Sequence, residues 1–271
     1  MQYSTFAAID IGSYDVILEI FEISKKQGIR SVDKICHRME LGKDTYTLGK
    51  IRPEMEEELC RVLADFVRIM EGYRVDDYRA TASSAISEAS NSLYVLGKIH
   101  QLTGLSVTVL SNSEQRFLSY KALAAMEDNF NKIIEKGTAI LDLDGGSFQI
   151  SLFDKDALVT TQNIRMGSLR IRERLAGIQS ETEHYEEMVE ELIWNEVSSF
   201  KKMYLKDRKI ENIMLIGDVF TDSVYQNIEE KTTKIISREN FNTWYEKIIR
   251  QSPMELAVKL GIPLENASLM Y

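Results

Sequence analysis

The chain has 271 residues, of which 44% are apolar, and it carries a formal net charge of −9 and two cysteines. That length and apolar content suit two modest domains with their own cores, and no apolar stretch approaches the roughly 20 residues of a membrane span. The acidic balance argues against DNA binding, because phosphate contacts need clustered lysine and arginine, and two cysteines favour a reducing cytoplasm over a disulfide framework.

The first predicted element is a β-hairpin over residues 6–20, FAAIDIGSYDVILEI. An apolar strand ends near Asp10, a turn contains Gly12-Ser13, and a second strand follows with alternating apolar residues. Residues 29–41 predict a third strand. The chain should therefore begin with three antiparallel strands.

Helices and strands alternate over the rest of the first half. Pro53 suits the first turn of a helix, and apolar residues at helical spacing continue that helix to Gly72. The elements predicted next are a strand over 78–81, a helix over 87–103, a strand over 106–110 and a helix over 114–130. This order is typical of an α/β domain. The polar residues 128–137 are the predicted crossing to the second half.

A second hairpin over residues 138–153, TAILDLDGGSFQISLF, has the same pattern as the first. Its first strand contains Asp142 near the end, and Gly145-Gly146-Ser147 forms the turn. Glycine in such a turn allows conformations that a side chain forbids and leaves N–H groups uncovered for an anion. A lone Gly-Gly pair more often serves only the turn of a hairpin, so the repetition of the pattern carries the interpretation.

The two hairpins predict an internal duplication. By sequence, Asp10 matches Asp142, and Gly12-Ser13 matches Gly146-Ser147. Hairpins about 130 residues apart, each opening a segment of domain size, predict two related α/β domains whose turns face one cleft. We place these domains at residues 1–132 and 133–271. Such a cleft would suit a nucleotide or a phosphate.

The second half continues with a third strand and then mostly helices. The predicted elements are a strand over 157–164, a short helix over 167–175, a long helix over 181–204, a buried strand over 213–218, and helices over 238–250 and 253–260. The apolar residues before Tyr271 look like the start of another element. We therefore expect either a truncation of a longer protein or a naturally short form.

Six stretches of this sequence, in the same order and at similar separations, resemble the exopolyphosphatase/guanosine-pentaphosphate phosphohydrolase (Ppx/GppA) family of the actin-like ATPase superfamily. They are AAIDIGS (7–13), TASSAISEASN (81–91), VLSNSEQRFL (109–118), ILDLDGGSFQI (140–150), RMGSLRIRE (165–173) and LGIPLENAS (260–268). The resemblance implies two ribonuclease-H-like α/β domains with a phosphate-binding cleft between them. It also implies Mg²⁺-dependent hydrolysis of the terminal phosphoanhydride of polyphosphate or guanosine pentaphosphate. A homodimer is one expected assembly.

The resemblance also assigns roles to individual residues. Those expected to hold phosphate are Gly12, Ser13, Gly145, Gly146 and Ser147, with Gly167 and Ser168 as a further phosphate-facing turn. Asp10 and Asp142 are expected to hold the metal or its waters. Glu114 lies in the segment that supplies the water-activating glutamate of the family. Positioning and charge neutralisation carry most of phosphoryl transfer, which suits turn N–H groups, hydroxyls, carboxylates and a metal.

Several positions depart from the family pattern. They are Tyr14 for Asn, Ser87 for Arg, Gln115 and Gln149 for Glu, Asp144 for Gly, and Asp218 in a Gly-Gly-Thr turn. Glutamine cannot accept a proton or neutralise Mg²⁺, serine cannot replace the bidentate donor of arginine, and Asp144 should repel phosphate unless a metal intervenes.

These departures leave three hypotheses open. The first is a weakened hydrolase, and the second is a non-catalytic family member that binds nucleotide, polyphosphate or a protein partner as a regulator. A kinase or ATPase is the third, and it is disfavoured because Gly217-Asp218-Val219 replaces the adenosine-binding turn of that superfamily.

Overall fold

The computed structural model describes residues 3–26, 28–126, 129–179, 184–217, 237–260 and 264–267. Two compact units make up the chain, Met1–Leu123 (unit 1) and Ala124–Tyr271 (unit 2). Compact units need not coincide with folding domains, so the domain boundary between residues 132 and 133 stays a prediction. In the described part of the chain, no helix is long and apolar enough to cross a bilayer.

Unit 1 is built on a five-stranded mixed sheet in the order β3-β2-β1-β4-β5. Its strands are β1 (Ser4–Ile11), β2 (Asp15–Ser24), β3 (Gly28–Arg38), β4 (Asp77–Ala82) and β5 (Val107–Val109). The first three strands pair antiparallel, as predicted, whereas β4 runs parallel to β1 and β5 runs parallel to β4. Parallel neighbours need a crossover, and helices supply it here.

The helices of unit 1 are α1 (Leu41–Leu48), α2 (Pro53–Gly72), α3 (Ser84–Ser87), α4 (Ser92–Thr103) and α5 (Asn112–Met126). Helix α2 has the predicted bounds, and its apolar side packs on the sheet through buried residues such as Leu59, Leu63 and Phe66. The helix predicted over residues 87–103 is α4, which ends at Thr103 as predicted and begins five residues later, because residues 84–87 form the separate helix α3. Helix α1 was not predicted, since its buried residues include Asp44 and Thr45 and give no apolar periodicity.

Unit 2 has a four-stranded sheet in the order β8-β7-β6-β9. Its elements are α6 (Phe130–Ile134), β6 (Thr138–Leu143), β7 (Phe148–Asp154), β8 (Ala157–Ile164), α7 (Ser168–Gln179), α8 (Tyr185–Phe200) with a π-helical turn (Lys201–Leu205), β9 (Asn212–Gly217), α9 (Arg238–Ile248), α10 (Pro253–Leu260) and α11 (Leu264–Ala267). Helix α6 lies in the segment predicted to be only a crossing. The predictions for Asp218 and Val219 lie outside the described residues.

Each sheet has helices packed against it, which confirms the predicted α/β class, and both open with three antiparallel strands. A parallel strand then pairs with the first strand of each, β4 in unit 1 and β9 in unit 2. Asp10 and Asp142 are both the next-to-last residue of that first strand, as the duplication requires.

Strand register corrects one part of the predicted duplication. The last pairs before the turns are Ile11↔Val16 and Leu143↔Phe148, so four residues separate the two partners of that pair in each hairpin. This register aligns Gly12 with Asp144. The matching of Gly12-Ser13 to Gly146-Ser147 is therefore wrong, because shared residue types suggested a register that strand pairing does not allow.

Candidate functional site

The first turn lies at the carboxyl end of β1, beside the carboxyl end of the parallel strand β4. Ligands of α/β folds bind at such an edge. The Gly12 N–H donates to the Asp15 carbonyl oxygen over 2.9 Å and closes the turn. A Cβ on Gly12 would lie 3.0 Å from that oxygen, so a side chain there would require the carbonyl to move by a few tenths of an ångström.

Ser13 lies inside the protein at this turn. Its side chain is buried, and its Oγ lies 2.7 Å from Tyr46 Oη and 3.4 Å from Ser84 Oγ. The Tyr46 and Ser84 oxygens are 2.9 Å apart. Sequence reasoning missed both partners: the small residues after β4 gave a weak signal for Ser84, and nothing indicated Tyr46.

Tyr14 packs in the core of unit 1 beside the first turn. The Arg38 guanidinium lies 4.8 Å from the centroid of its ring, within the range of a cation–π interaction. The backbone N–H groups of Met39 and Glu40 both donate to the Tyr14 carbonyl oxygen. Tyr14, one of the departures from the family, therefore anchors the turn to the start of α1.

Asp10 lies at the same sheet edge as the first turn, and its side chain is exposed. Thr81, its neighbour on β4, places Oγ1 3.4 Å from Asp10 Oδ1. The structure thus places Asp10, Gly12 and Ser13 at the same end of the unit 1 sheet.

Glu114 lies in the first turn of α5 and forms a capping box with Ser111. Its Oε2 accepts hydrogen bonds from the Ser111 N–H (2.9 Å) and Oγ (2.7 Å), and the Glu114 N–H donates to Ser111 Oγ. These bonds, with a smaller contribution from Arg79, lower the pKa of Glu114 below its ordinary value. A carboxylate with a lowered pKa is a weaker general base, so the structure gives Glu114 a capping role beside the predicted catalytic one.

Glu255 offers an internal comparison for Glu114. It begins α10 in the same kind of capping box, with its Oε2 2.8 Å from the Ser252 N–H and 3.0 Å from the Ser252 Oγ. Its pKa is lowered by the same two bonds, and no arginine contributes to that shift. The Glu255 bonds show that a capping box by itself lowers the pKa of a glutamate, without a catalytic role. Of the two glutamates, only Glu114 lies in a segment that resembles a family motif.

The second turn, residues 144–147, contains an aspartate that already accepts a hydrogen bond from the turn backbone. Asp144 Oδ1 accepts a hydrogen bond of 2.6 Å from the Gly145 N–H, and the Asp144 N–H donates to the Ser147 carbonyl oxygen over 3.1 Å. The prediction that the Gly145 N–H is uncovered for an anion is therefore wrong. An incoming phosphate oxygen would have to displace a carboxylate to reach it.

Arg170 clasps the second turn from α7. Its backbone N–H donates to the Gly145 carbonyl oxygen over 3.0 Å, and its Nε–H donates to the Gly146 carbonyl oxygen over 2.8 Å. A Cβ on Gly167 would collide with the backbone of Asp144 and Gly145, so glycine is required for this close approach. Ser168 opens α7 directly beside it. Sequence reasoning selected Gly167 and Ser168 from this motif and missed Arg170.

Both turns are held by the helix that follows the third strand. In unit 1 the Gly42 N–H of α1 donates to the Ser13 carbonyl oxygen, and in unit 2 the Arg170 N–H of α7 donates to the equivalent Gly145 oxygen. Helix α1 is thus the counterpart of α7. The duplication therefore extends past the hairpins to the helices that support the turns.

Three side chains with oxygen atoms lie side by side on neighbouring strands next to the second turn, and we call them the oxygen row (Asp142, Gln149 and Asn163). Asp142 on β6 pairs with Gln149 on β7, which pairs with Asn163 on β8. Gln149 is only 5% exposed, and its Oε1, like Asn163 Oδ1, is buried without a hydrogen-bond partner. A buried acceptor without a partner costs free energy, so a bound cation or water would stabilise this row.

This oxygen row fits a hard divalent cation better than the equivalent row in unit 1. Carboxylate and amide oxygens suit Mg²⁺ and Ca²⁺, whereas the residues opposite Asp10 are Ile17 and then Cys36. Across the described residues there is no group of three or more His, Cys, Asp or Glu side chains placed for a metal. The amide oxygens of Gln149 and Asn163 would therefore be the other protein ligands beside the Asp142 carboxylate.

The chain matches the model of the Ppx/GppA phosphatase family over residues 19–260. It belongs to the Ppx/GppA phosphatase family. Among solved structures, the Ppx/GppA protein of Aquifex aeolicus has a TM-score of 0.74 at 19% identity, over 99% of this chain and 87% of that chain. An exopolyphosphatase of Cytophaga hutchinsonii has a TM-score of 0.72 at 19% identity, over 98% and 87%. These likenesses confirm the predicted family and fold.

Curated relatives are longer than this family member. The bifunctional 3-dehydroquinate synthase/phosphatase of Fusobacterium nucleatum is 22% identical over 238 residues, which are 83% of this chain and 34% of that protein. Exopolyphosphatase 1 of Mycobacterium leprae is 25% identical over 144 residues, 53% of this chain and 41% of that protein. The matches to these two relatives therefore span about a third to two fifths of their length.

Proposed function

We propose that this Ppx/GppA family member binds a polyphosphate chain or a guanosine polyphosphate with Mg²⁺ and releases the terminal phosphate at a reduced rate. The observation that carries the proposal is the repeated hairpin, which sets Asp10 and Asp142 at equivalent strand ends of two sheets in a chain of this family. A cytoplasmic location, a homodimer and the lack of DNA binding go with this proposal.

The oxygen row would hold the metal in this proposal. Asp142 would supply the charged ligand, and the orphaned Gln149 and Asn163 oxygens would supply neutral ones. A bound Mg²⁺ supplies charge neutralisation for the phosphate oxygens. Asp10, beside the Thr81 hydroxyl, would hold a metal ion or its waters in unit 1.

The turns would bind phosphate oxygens through backbone N–H groups and hydroxyls. In unit 1 these come from Gly12, whose N–H would first have to leave the Asp15 carbonyl oxygen, and from Ser13. In unit 2 they come from the Gly145-Gly146-Ser147 turn and the adjoining Gly167-Ser168. Glu114 would orient the attacking water. Its hydrogen bonds to Ser111 would have to be exchanged for one to that water, because a general base must lie within hydrogen-bond reach of the proton it takes.

Two contacts favour the alternative of a non-catalytic binder. The Asp144 carboxylate occupies the Gly145 N–H, and the Ser111 cap occupies Glu114. Both groups would need to change partners before catalysis. A family member that binds a nucleotide, polyphosphate or a protein partner as a regulator would keep the Glu114 cap, and one that binds a protein partner would keep the Asp144 contact as well.

Phosphate release from polyphosphate and from guanosine pentaphosphate with Mg²⁺, measured on the purified full chain, tests the proposal. We expect slow release that the triple variant S87R/Q115E/Q149E accelerates by more than the product of its single variants, since residues that act as a unit are not additive. Tripolyphosphate binding without any release, in both the native chain and the triple variant, would favour the non-catalytic binder. A chain that neither releases phosphate nor binds tripolyphosphate would exclude the hydrolase and the polyphosphate binder and leave a regulator that binds a protein partner.

A further inference from the structure

Three hydroxyl groups from separate elements of unit 1 meet beside the first turn. Ser13 lies between β1 and β2, Tyr46 lies on α1, and Ser84 opens α3 after β4. Tyr46 Oη lies 2.7 Å from Ser13 Oγ and 2.9 Å from Ser84 Oγ, whereas the two serine oxygens are 3.4 Å apart. The phenol is therefore the centre of this hydroxyl trio (Ser13, Tyr46 and Ser84).

The trio shares its protons. Each hydroxyl has one proton to donate and two lone pairs with which to accept. The two short bonds both end on Tyr46 Oη and use two of the three protons. When the phenol O–H points at one serine, the proton of that serine is left for the longer contact of 3.4 Å between the two serines or for a ligand, and reversing the phenol O–H exchanges the two serines. Tyr46 therefore decides which serine has a proton to direct elsewhere.

The trio connects a buried residue to the ligand-binding edge of the sheet. Ser13 is only 1% exposed, whereas Tyr46 and Ser84 are half-buried. The Ser13 hydroxyl is buried. It can therefore act on a phosphate oxygen only if the neighbouring hydroxyls orient its O–H, or if one of them donates to the phosphate in its place. Ser84 follows β4 by two residues, so it lies at the same strand ends as Asp10 and Thr81.

Building on the phosphate binding proposed above, we propose that Tyr46 is a positioning residue of the first turn. Its hydroxyl orients the serine O–H that donates to a phosphate oxygen. A Y46F substitution removes both short hydrogen bonds and leaves the serines only their 3.4 Å contact with each other. An S84A substitution removes one end of the chain and keeps the bond between Ser13 and Tyr46.

Calorimetric titration of the full chain with sodium tripolyphosphate, at fixed Mg²⁺ and ionic strength, tests this role. Y46F and S84A should each raise the Kd about tenfold, which corresponds to about 1.4 kcal/mol. The double variant should bind no more weakly than the weaker single variant, because both substitutions break one proton chain. Y73F is the matched control: Tyr73 donates its hydroxyl to Asp33 at the surface of the same unit, and its loss should leave the Kd unchanged.

Urea unfolding distinguishes a loss of phosphate binding in Y46F from a loss of stability of the folded chain. A merely structural role would lower the midpoint of Y46F equally with and without tripolyphosphate. Positioning predicts that the tripolyphosphate-induced rise of the midpoint itself shrinks, because that rise depends on the Kd of the folded state. If Y46F does not fold, S84A carries the test.

The outcomes distinguish this inference from the function on which it rests. A native chain that does not bind tripolyphosphate contradicts the proposed phosphate binding. A native chain that binds it, with Y46F and S84A binding equally well or with additive losses in the double variant, overturns the positioning role of Tyr46 and leaves the proposed function standing.

Discussion

Removing the Asp144 carboxylate should tighten phosphate binding at the second turn. Asp144 Oδ1 lies 2.6 Å from the Gly145 nitrogen, a short hydrogen bond to a carboxylate. Any phosphate oxygen that takes this N–H must displace the carboxylate and then remain close to its charge. D144G restores the glycine that stands at the equivalent Gly12 in unit 1, and D144N keeps the size of the side chain while removing its charge.

The size of the effect follows from the distance between the charges. Two like charges about 4 Å apart repel by about 1 kcal/mol in water and by about 4 kcal/mol at the effective dielectric near a protein surface. These limits correspond to about fivefold and about a thousandfold in Kd. Asp144 is half-buried and salt screens its charge, so we expect a gain of about 10- to 50-fold for D144N.

Calorimetric titration with tripolyphosphate measures this gain. Asp156 provides the control, because it lies in the exposed turn between β7 and β8 of the same unit, at φ 61°. D156N changes the net charge by the same amount without touching the second turn. The gain of D144N should shrink as salt is added. If D144N and D144G bind tripolyphosphate no more tightly than D156N, the carboxylate does not compete with phosphate and the reasoning fails.

Three further predictions concern the glutamate caps of α5 and α10, the close approach of Gly167 to the second turn, and the oxygen row. E114Q and E255Q should each lower the free energy of unfolding above about pH 4.3, the ordinary pKa of a glutamate. The pKa of each carboxyl is lowered in the folded state, so its stabilising contribution is lost as the pH falls through that folded value, and there the variants should match the native chain. Phosphate release should fall in E114Q alone. G167A should lower the free energy of unfolding by about 1–3 kcal/mol in urea titrations, since its Cβ meets backbone; equal midpoints would contradict the close packing. Q149E should lower the urea midpoint without Mg²⁺ and make that midpoint rise with Mg²⁺, whereas a Mg²⁺-independent midpoint would argue against a metal at this row.

Local chemistry was enough to predict the main elements of the fold. Helix α2 begins at Pro53 and has apolar residues at helical spacing, and both signals lie within the segment itself. Strand β8 has the predicted bounds, Ala157–Ile164. The duplication was also visible, because Asp10 and Asp142 stand in similar apolar strands. Periodicity and turn chemistry act over a few residues, so a single sequence reveals them.

Helix α1 shows where such local signals end. Two of its buried residues are polar: Asp44 is held by Arg52, and Thr45 donates to the Ala85 carbonyl oxygen. Its burial is therefore satisfied by partners in other elements, which the 3.6-residue pattern of apolar residues does not reveal. Residue types likewise suggested the wrong match between the two turns, which strand register corrected.

The candidate site depends on contacts that only the tertiary structure decides. Ser13 meets Ser84 across 71 residues of sequence, and Arg170 meets Gly146 across 24. The Gln149 and Asn163 oxygens stand together because β7 and β8 pair in one particular register. The sequence determined that two glycine-containing turns follow two acidic strand ends. Which groups hold those turns was decided by strand pairing and helix packing, since the hydrogen bonds join segments whose proximity is created by folding.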